Sequence, residues 1–135
     1  ITFVLKDISG QMGMTDFMIK VAEPFLFASI FPAAVFVLGA LLAFTTGSDW
    51  GMSSIITPIV FPLGAALGAN PVLIMAAVIS GGTFGSHACF YADATLLASQ
   101  SAGVDNMEHA LTQLPYVIIS AVLAIGGFVI AGFMV

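Results

Sequence analysis

Ser80-Gly81-Gly82-Thr83-Phe84-Gly85-Ser86-His87-Ala88-Cys89-Phe90-Tyr91-Ala92-Asp93 is a glycine- and hydroxyl-rich stretch. At its end stands the only acid between Asp49 and Asp105. Asn70-Pro71 begins the segment that contains it, with Asn at the cap and Pro at the first helical position. Residues 71–101 number 31, enough for one membrane-spanning helix broken near its middle. Unwound backbone inside a bilayer survives only where it is buried in protein or lines a cavity. The reading of 80–93 therefore decides the fold: a helical membrane protein whose broken helix, unwound over 81–92, carries a site.

The surrounding composition agrees. Of 135 residues, 60% are hydrophobic and 7% are charged. A soluble domain carries roughly 25% charged residues. Lys6 and Lys20 are the only basic side chains, and mean hydropathy is +1.15. A soluble enzyme, a nucleic-acid binder and a disordered tail are excluded. The net charge of −5 says little, because most acids lie outside the apolar runs. Cys89, the single cysteine, forbids an internal disulfide. The chain starts at Ile1 and stops at Val135 within an apolar run, as expected of part of a longer polypeptide.

Four segments follow along the chain. Residues 1–23 hold Lys6, Asp7, Asp16, Lys20 and Glu23 and read as a connector with a short amphipathic helix at 14–22. The two lysines place it in the cytoplasm. Residues 24–69 read as a re-entrant helical hairpin with its tip at 45–51. Phe25–Phe44 can span, but Met52–Leu67 holds Pro58 and Pro62 and makes only about 24 Å of helix. Residues 70–101 are the broken transmembrane helix. Residues 105–135 are a spanning helix, entered by Asp105 and Glu108 as a capping box and kinked at Pro115.

Two polar interruptions, at 45–51 and 80–93, thus lie within apolar segments. Paired interruptions point to a substrate or ion site in a secondary transporter. Asp93 is the strongest candidate, since an ionisable group in a membrane segment is costly and by default functional. Its bland reading is a cap for the helix beginning at Ala94. His87 shares that interruption, as a satisfied structural residue or a second titrating group. Ser80, Gly81, Gly82 and Thr83 offer hydroxyls and freed carbonyls to a hard cation such as Na+, or form a hinge. Thr45, Thr46, Ser48 and Asp49 face the same choice between ligation and capping. Trp50 anchors at an interface or walls a cavity. P-loop, dinucleotide and Cys/His metal patterns are absent, and Ser86, His87 and Asp93 lack a nucleophile context.

Three blocks carry a family resemblance: Phe44-Thr45-Thr46-Gly47-Ser48-Asp49-Trp50-Gly51 with Pro58, Gly85-Ser86-His87-Ala88-Cys89 through Asp93-Ala94-Thr95, and Thr112-Gln113-Leu114-Pro115-Tyr116. In order and spacing they resemble the NhaC-type Na+/H+ antiporters of the ion transporter superfamily, whose pattern reads A-T-G-T-S-W-G, G-D-H-C-S-P-I-S-D-T-T and T-Q-L-P-Y. The resemblance implies the C-terminal repeat of an inverted-repeat transporter. It adds Ser86 and Thr95 to the ion- or substrate-binding candidates. Departures are Asp49 for the family's Ser, Ser86 for its first acid, and Phe90-Tyr91-Ala92 for small residues before the second acid.

The expected function is Na+/H+ antiport, with no enzymatic activity. Asp93 alternates between H+ and Na+ at the bilayer midplane, and oxygens from 45–48 and 80–83 complete the ion shell. The alternatives are Na+-coupled transport of an organic acid or amino acid, and a non-transporting subunit with unbroken helices. No cofactor is expected beyond Na+ as coupling ion. Expected partners are the lipid bilayer, the other repeat of the transporter, Na+ and H+, with a homodimer as a further assembly and no nucleic acid. The expected location is a cell membrane, multi-pass, of the bacterial or archaeal inner type.

Overall fold

A computed structural model describes residues 27–134. The connector at 1–23 and its amphipathic helix lie outside the described residues. Within them the chain is helical throughout: α1 (Phe31–Thr46), α2 (Asp49–Leu67), α3 (Pro71–Ala88), α4 (Asp93–Ala102) and α5 (Asn106–Met134).

The helix boundaries follow local chemistry. Pro32 opens α1, and Gly47 closes it in the left-handed conformation at φ 67°, its N–H reaching Ala43 O at 2.8 Å. That backbone suits Gly because no Cβ is present to clash. Ser48 caps α2, its Oγ accepting from Gly51 N at 3.2 Å. Asn70 caps α3 by accepting from Val72 N at 2.8 Å, with Pro71 in the first turn. Asp105 Oδ1 accepts from Met107 N at 2.9 Å and Glu108 N at 3.3 Å at the start of α5. Pro115 lies inside α5, and Pro58 and Pro62 lie inside α2.

Two expectations are corrected here. The stretch 81–92 is not unwound as a whole: α3 runs on through Ala88, and only Cys89–Ala92 separate it from α4. The glycines are points of close approach. A Cβ on Gly81 would lie 2.7 Å from Phe36 O, and one on Gly85 would lie 2.5 Å from Ala40 O. Continuous helix keeps these amides bonded internally, which apolar surroundings demand. Likewise, only Gly47 and Ser48 leave helix in the tip at 45–51, so α2 begins at Asp49 and has 19 residues, about 28 Å. It is therefore not too short to span. Among the described residues α2, α3 and α5 are long and apolar enough to cross a membrane, while α1 has 16 residues.

Contacts set the directions. Gly39 faces Met52, and Gly64 lies beside Phe31 and Ile74. Gly81 lies beside Phe36 and Gly85 beside Phe44. Hence α1 runs parallel to α3 and antiparallel to α2. On the other side, Phe128 of α5 packs on Phe36 with ring centroids 5.6 Å apart, and Gly132 meets Ser29, so α5 is antiparallel to α1. The core between α1, α2 and α3 is built on Val35, Met52, Ile56, Ile74, Ala77 and Val78, all buried. This packing brings the hairpin tip to the C-terminal part of α3.

Candidate ion site at the meeting of two helix interruptions

The tip at Gly47-Ser48 and the linker Cys89–Ala92 touch. Tyr91 Oη donates to Thr45 O at 2.6 Å, with Phe44 O at 3.4 Å. The Tyr91 ring occupies the space beside Gly47. Phe44 and Phe90 stack edge to face with centroids 6.5 Å apart. The linker is held from its far side too: Asn106 Nδ2 donates to Phe90 O at 2.7 Å, and Ser99 Oγ donates to Asn106 Oδ1 at 3.1 Å.

Asp49 opens α2 half-buried, with its carboxyl group against the backbone of Gly82. Only glycine leaves that room. Asp93 is the first residue of α4, its Oδ1 accepting from Ala94 N at 2.8 Å. Ala92, not Asp93, is the residue preceding the helix. Asp93 is exposed on the described chain. Both acids stand in the first turn of a helix, where negative charge is favoured by the unpaired N–H groups. Residues 27–134 contain no Lys or Arg to neutralise them.

The hydroxyls near the tip turn their protons inward. Thr45 Oγ1 and Thr46 Oγ1 donate to Leu42 O at 3.0 and 2.8 Å. A hydroxyl whose proton is committed to a carbonyl presents lone pairs outward, the polarity a cation needs. Ser48 Oγ is used as the α2 cap. Ser86 and Thr95 are buried and tie α3 to α4: Thr95 Oγ1 donates to Ser86 O at 3.4 Å, and Ser86 Oγ to Thr83 O at 3.3 Å.

The remaining candidates lie elsewhere. Because 80–88 is helix, its residues divide between two faces. Gly81, Gly82 and Gly85 face α1 and the tip. Ser80, Thr83 and His87 face α5 and line a cavity of about 510 Å³. Gln113, Tyr116 and Ser120 line its other wall. These three and Tyr91 escaped the sequence reading as site residues. The spacing carried a signal: 80, 83, 87 and 113, 116, 120 are both polar stripes at i, i+3, i+7 in apolar helices. Trp50 is exposed and takes no part in lining the α3–α5 cavity. No group of three or more His, Cys, Asp or Glu able to hold a metal occurs among those residues.

A match to the Na+/H+ antiporter family extends over residues 4–133. The chain belongs to this family. Among its relatives, an uncharacterized protein of Haemophilus influenzae is 32% identical over 97% of the chain and 25% of the relative. The malate-2H+/Na+-lactate antiporter of Bacillus subtilis is 29% identical over 90% of the chain and 26% of that protein. The arginine/ornithine antiporter ArcD of Halobacterium salinarum is 27% identical over 90% and 25%. This antiporter-family chain therefore spans about a quarter of the length of these curated relatives. No solved structure matches it. Family and apolar helices together mark the chain as part of a membrane protein of the antiporter family.

Proposed function

We propose that the chain forms part of a Na+/H+ antiporter in which Asp93 binds H+ and Na+ in competition. The observation that carries this reading is the junction itself. Two helix interruptions are joined by the Tyr91–Thr45 hydrogen bond, with one acid on each side of the joint, at Asp49 and Asp93. Thr45 Oγ1, its proton committed to Leu42 O, keeps its lone pairs for a cation at the tip, while Thr46 Oγ1 also accepts from Ser48 N at 3.4 Å. Asp93 has no Lys or Arg partner among the described residues, and in this reading a proton or Na+ compensates its charge once the site closes. Asp49, against Gly82, adds negative potential at the tip. The other repeat supplies the facing wall, and the tip and linker move as a unit when the site changes sides. The hairpin is re-entrant in this scheme, its tip at the midplane.

Proteoliposomes holding the full-length transporter test the reading. An inward Na+ gradient should drive H+ outward, and Asp93→Asn should abolish the coupled flux. Coupling that survives this substitution contradicts the role of Asp93.

A second reading is Na+-coupled movement of an organic acid or amino acid. It is favoured by the α3–α5 cavity, which lies on the other face of α3 from Gly82 and the tip and is lined by both polar and apolar side chains. The malate/lactate and arginine/ornithine exchange named for two relatives points the same way.

A further inference from the structure

The cavity between α3 and α5 sets six polar side chains, Ser80, Thr83, His87, Gln113, Tyr116 and Ser120, among apolar ones. Thr83 Oγ1 and Ser120 Oγ return their protons to their own helices, at Ile79 O (3.0 Å) and Tyr116 O (2.9 Å), while the side chains of Ser80, His87, Gln113 and Tyr116 form no hydrogen bond among the described residues. Ser80, His87, Gln113 and Tyr116 line one space, and each has a donor that it can turn to a ligand there. A solute that enters this space between apolar helices finds hydrogen-bond partners there that lipid does not offer.

Among the described residues no Asp or Glu lines the cavity, so a cation or an ammonium group finds no counter-charge there. Donors without acids suit an anion, and a carboxylate accepts from several donors at once. Below the polar stripe the lining is apolar, with Phe36 and Phe84 6.0 Å apart and Ala121 and Ala124 opposite. A volume of about 510 Å³ suits a small molecule. We infer that this cavity binds the carboxylate of a small organic acid, with Gln113 and Tyr116 as anchors on α5, Ser80 and His87 on α3, and the apolar body on the phenylalanines. This rests on the second reading above and gives that solute a place distinct from the cation junction.

The test uses the full-length transporter in proteoliposomes, with lactate and succinate as mono- and dicarboxylate probes and L-lysine as the cationic control. The wild type should bind or exchange a carboxylate and ignore lysine. Gln113→Leu and Tyr116→Phe should each raise the half-saturating carboxylate concentration about tenfold or more, since each removes a donor to a charged group. Half-saturation by Na+ should stay within about twofold. Ala124→Phe, which fills the apolar end, should block the carboxylate while leaving Na+ binding intact. If the wild type neither binds nor moves either carboxylate, or prefers lysine, the proposal and the second reading fall together. If a carboxylate moves but the cavity variants leave its saturation unchanged, or shift Na+ equally, the second reading stands and this site is wrong. The latter outcome is also the one expected if another segment of the transporter fills the space.

Discussion

Tyr91 donates its hydroxyl to the backbone carbonyl of Thr45 at 2.6 Å, across 46 positions of sequence. That bond joins the end of α1 to the linker between α3 and α4. The two places where the chain leaves helix are thereby one structural unit. Asp93 follows two residues after Tyr91, and Asp49 four after Thr45. In the proposed mechanism a displacement of the tip therefore reaches both acids.

Tyr91→Phe removes the hydroxyl and keeps the ring beside Gly47. The expected cost is about 0.5–1.5 kcal/mol of stability, the net worth of one hydrogen bond. Transport should slow more than this small loss suggests, because the tip and linker separate. Thermal unfolding of the purified transporter, set beside its turnover in proteoliposomes, measures the two effects. Equal turnover in the variant and the parent would show that the bond couples nothing.

Neighbouring glycines should respond differently to a single methyl group. At Gly81 the added carbon meets the backbone of Phe36 at 2.7 Å, so Gly81→Ala must push α1 from α3. Overpacking of this kind costs about 1–3 kcal/mol. At Gly82 the obstacles are the carboxyl group of Asp49 and the methyl of Met52, both ends of flexible side chains. Gly82→Ala should keep the fold and displace Asp49, weakening Na+ binding about twofold, less than removal of that charge does. Gly126→Ala, with nothing within 4 Å, is the silent control. Melting temperature and Na+ binding on the three variants separate these outcomes.

The two acids should also differ. Asp93→Asn is expected to abolish Na+-coupled H+ movement. Asp49→Asn should leave exchange running but raise the half-saturating Na+ concentration several-fold, since it removes a neighbouring negative charge rather than the exchanging group. Initial rates of Na+-driven alkalinisation at varied Na+ measure both. Equal and complete loss in the two variants would make them a shared site.

Ser48→Ala tests the cap of α2. Losing the bond from Gly51 N should cost about 1 kcal/mol. Its effect on melting temperature should be mimicked by Asn70→Ala, which uncaps α3. A larger loss of Na+ affinity in Ser48→Ala than in Asn70→Ala would assign Ser48 a ligand role beyond capping.

Local chemistry made the helix boundaries legible. Ser48, Asn70-Pro71 and Asp105 announce helix starts through short-range rules, and each does accept from the first turn of its helix. The interruptions at the tip and before Asp93 were legible as polar breaks in apolar runs. Their extent was not. A glycine in a helix reads equally as a hinge or as a contact, and what decides for Gly81 and Gly85 is α1, some 40 residues away in sequence. Once 80–88 is helix, its 3.6-residue period separates Gly82 from Thr83 and His87. The candidate residues, contiguous in sequence, therefore fall on opposite faces. Tyr91 carries no such periodic signal, because its significance lies in the Thr45 carbonyl it faces.

The central claim is competition between H+ and Na+ at one carboxylate, and binding of radioactive Na+ to the purified full-length transporter across a pH series tests it most directly. Competition predicts that the apparent Na+ dissociation constant rises about tenfold per pH unit on the acid side, while the maximal amount bound stays constant. A maximal amount that falls with an unchanged dissociation constant, or binding indifferent to pH, would contradict it.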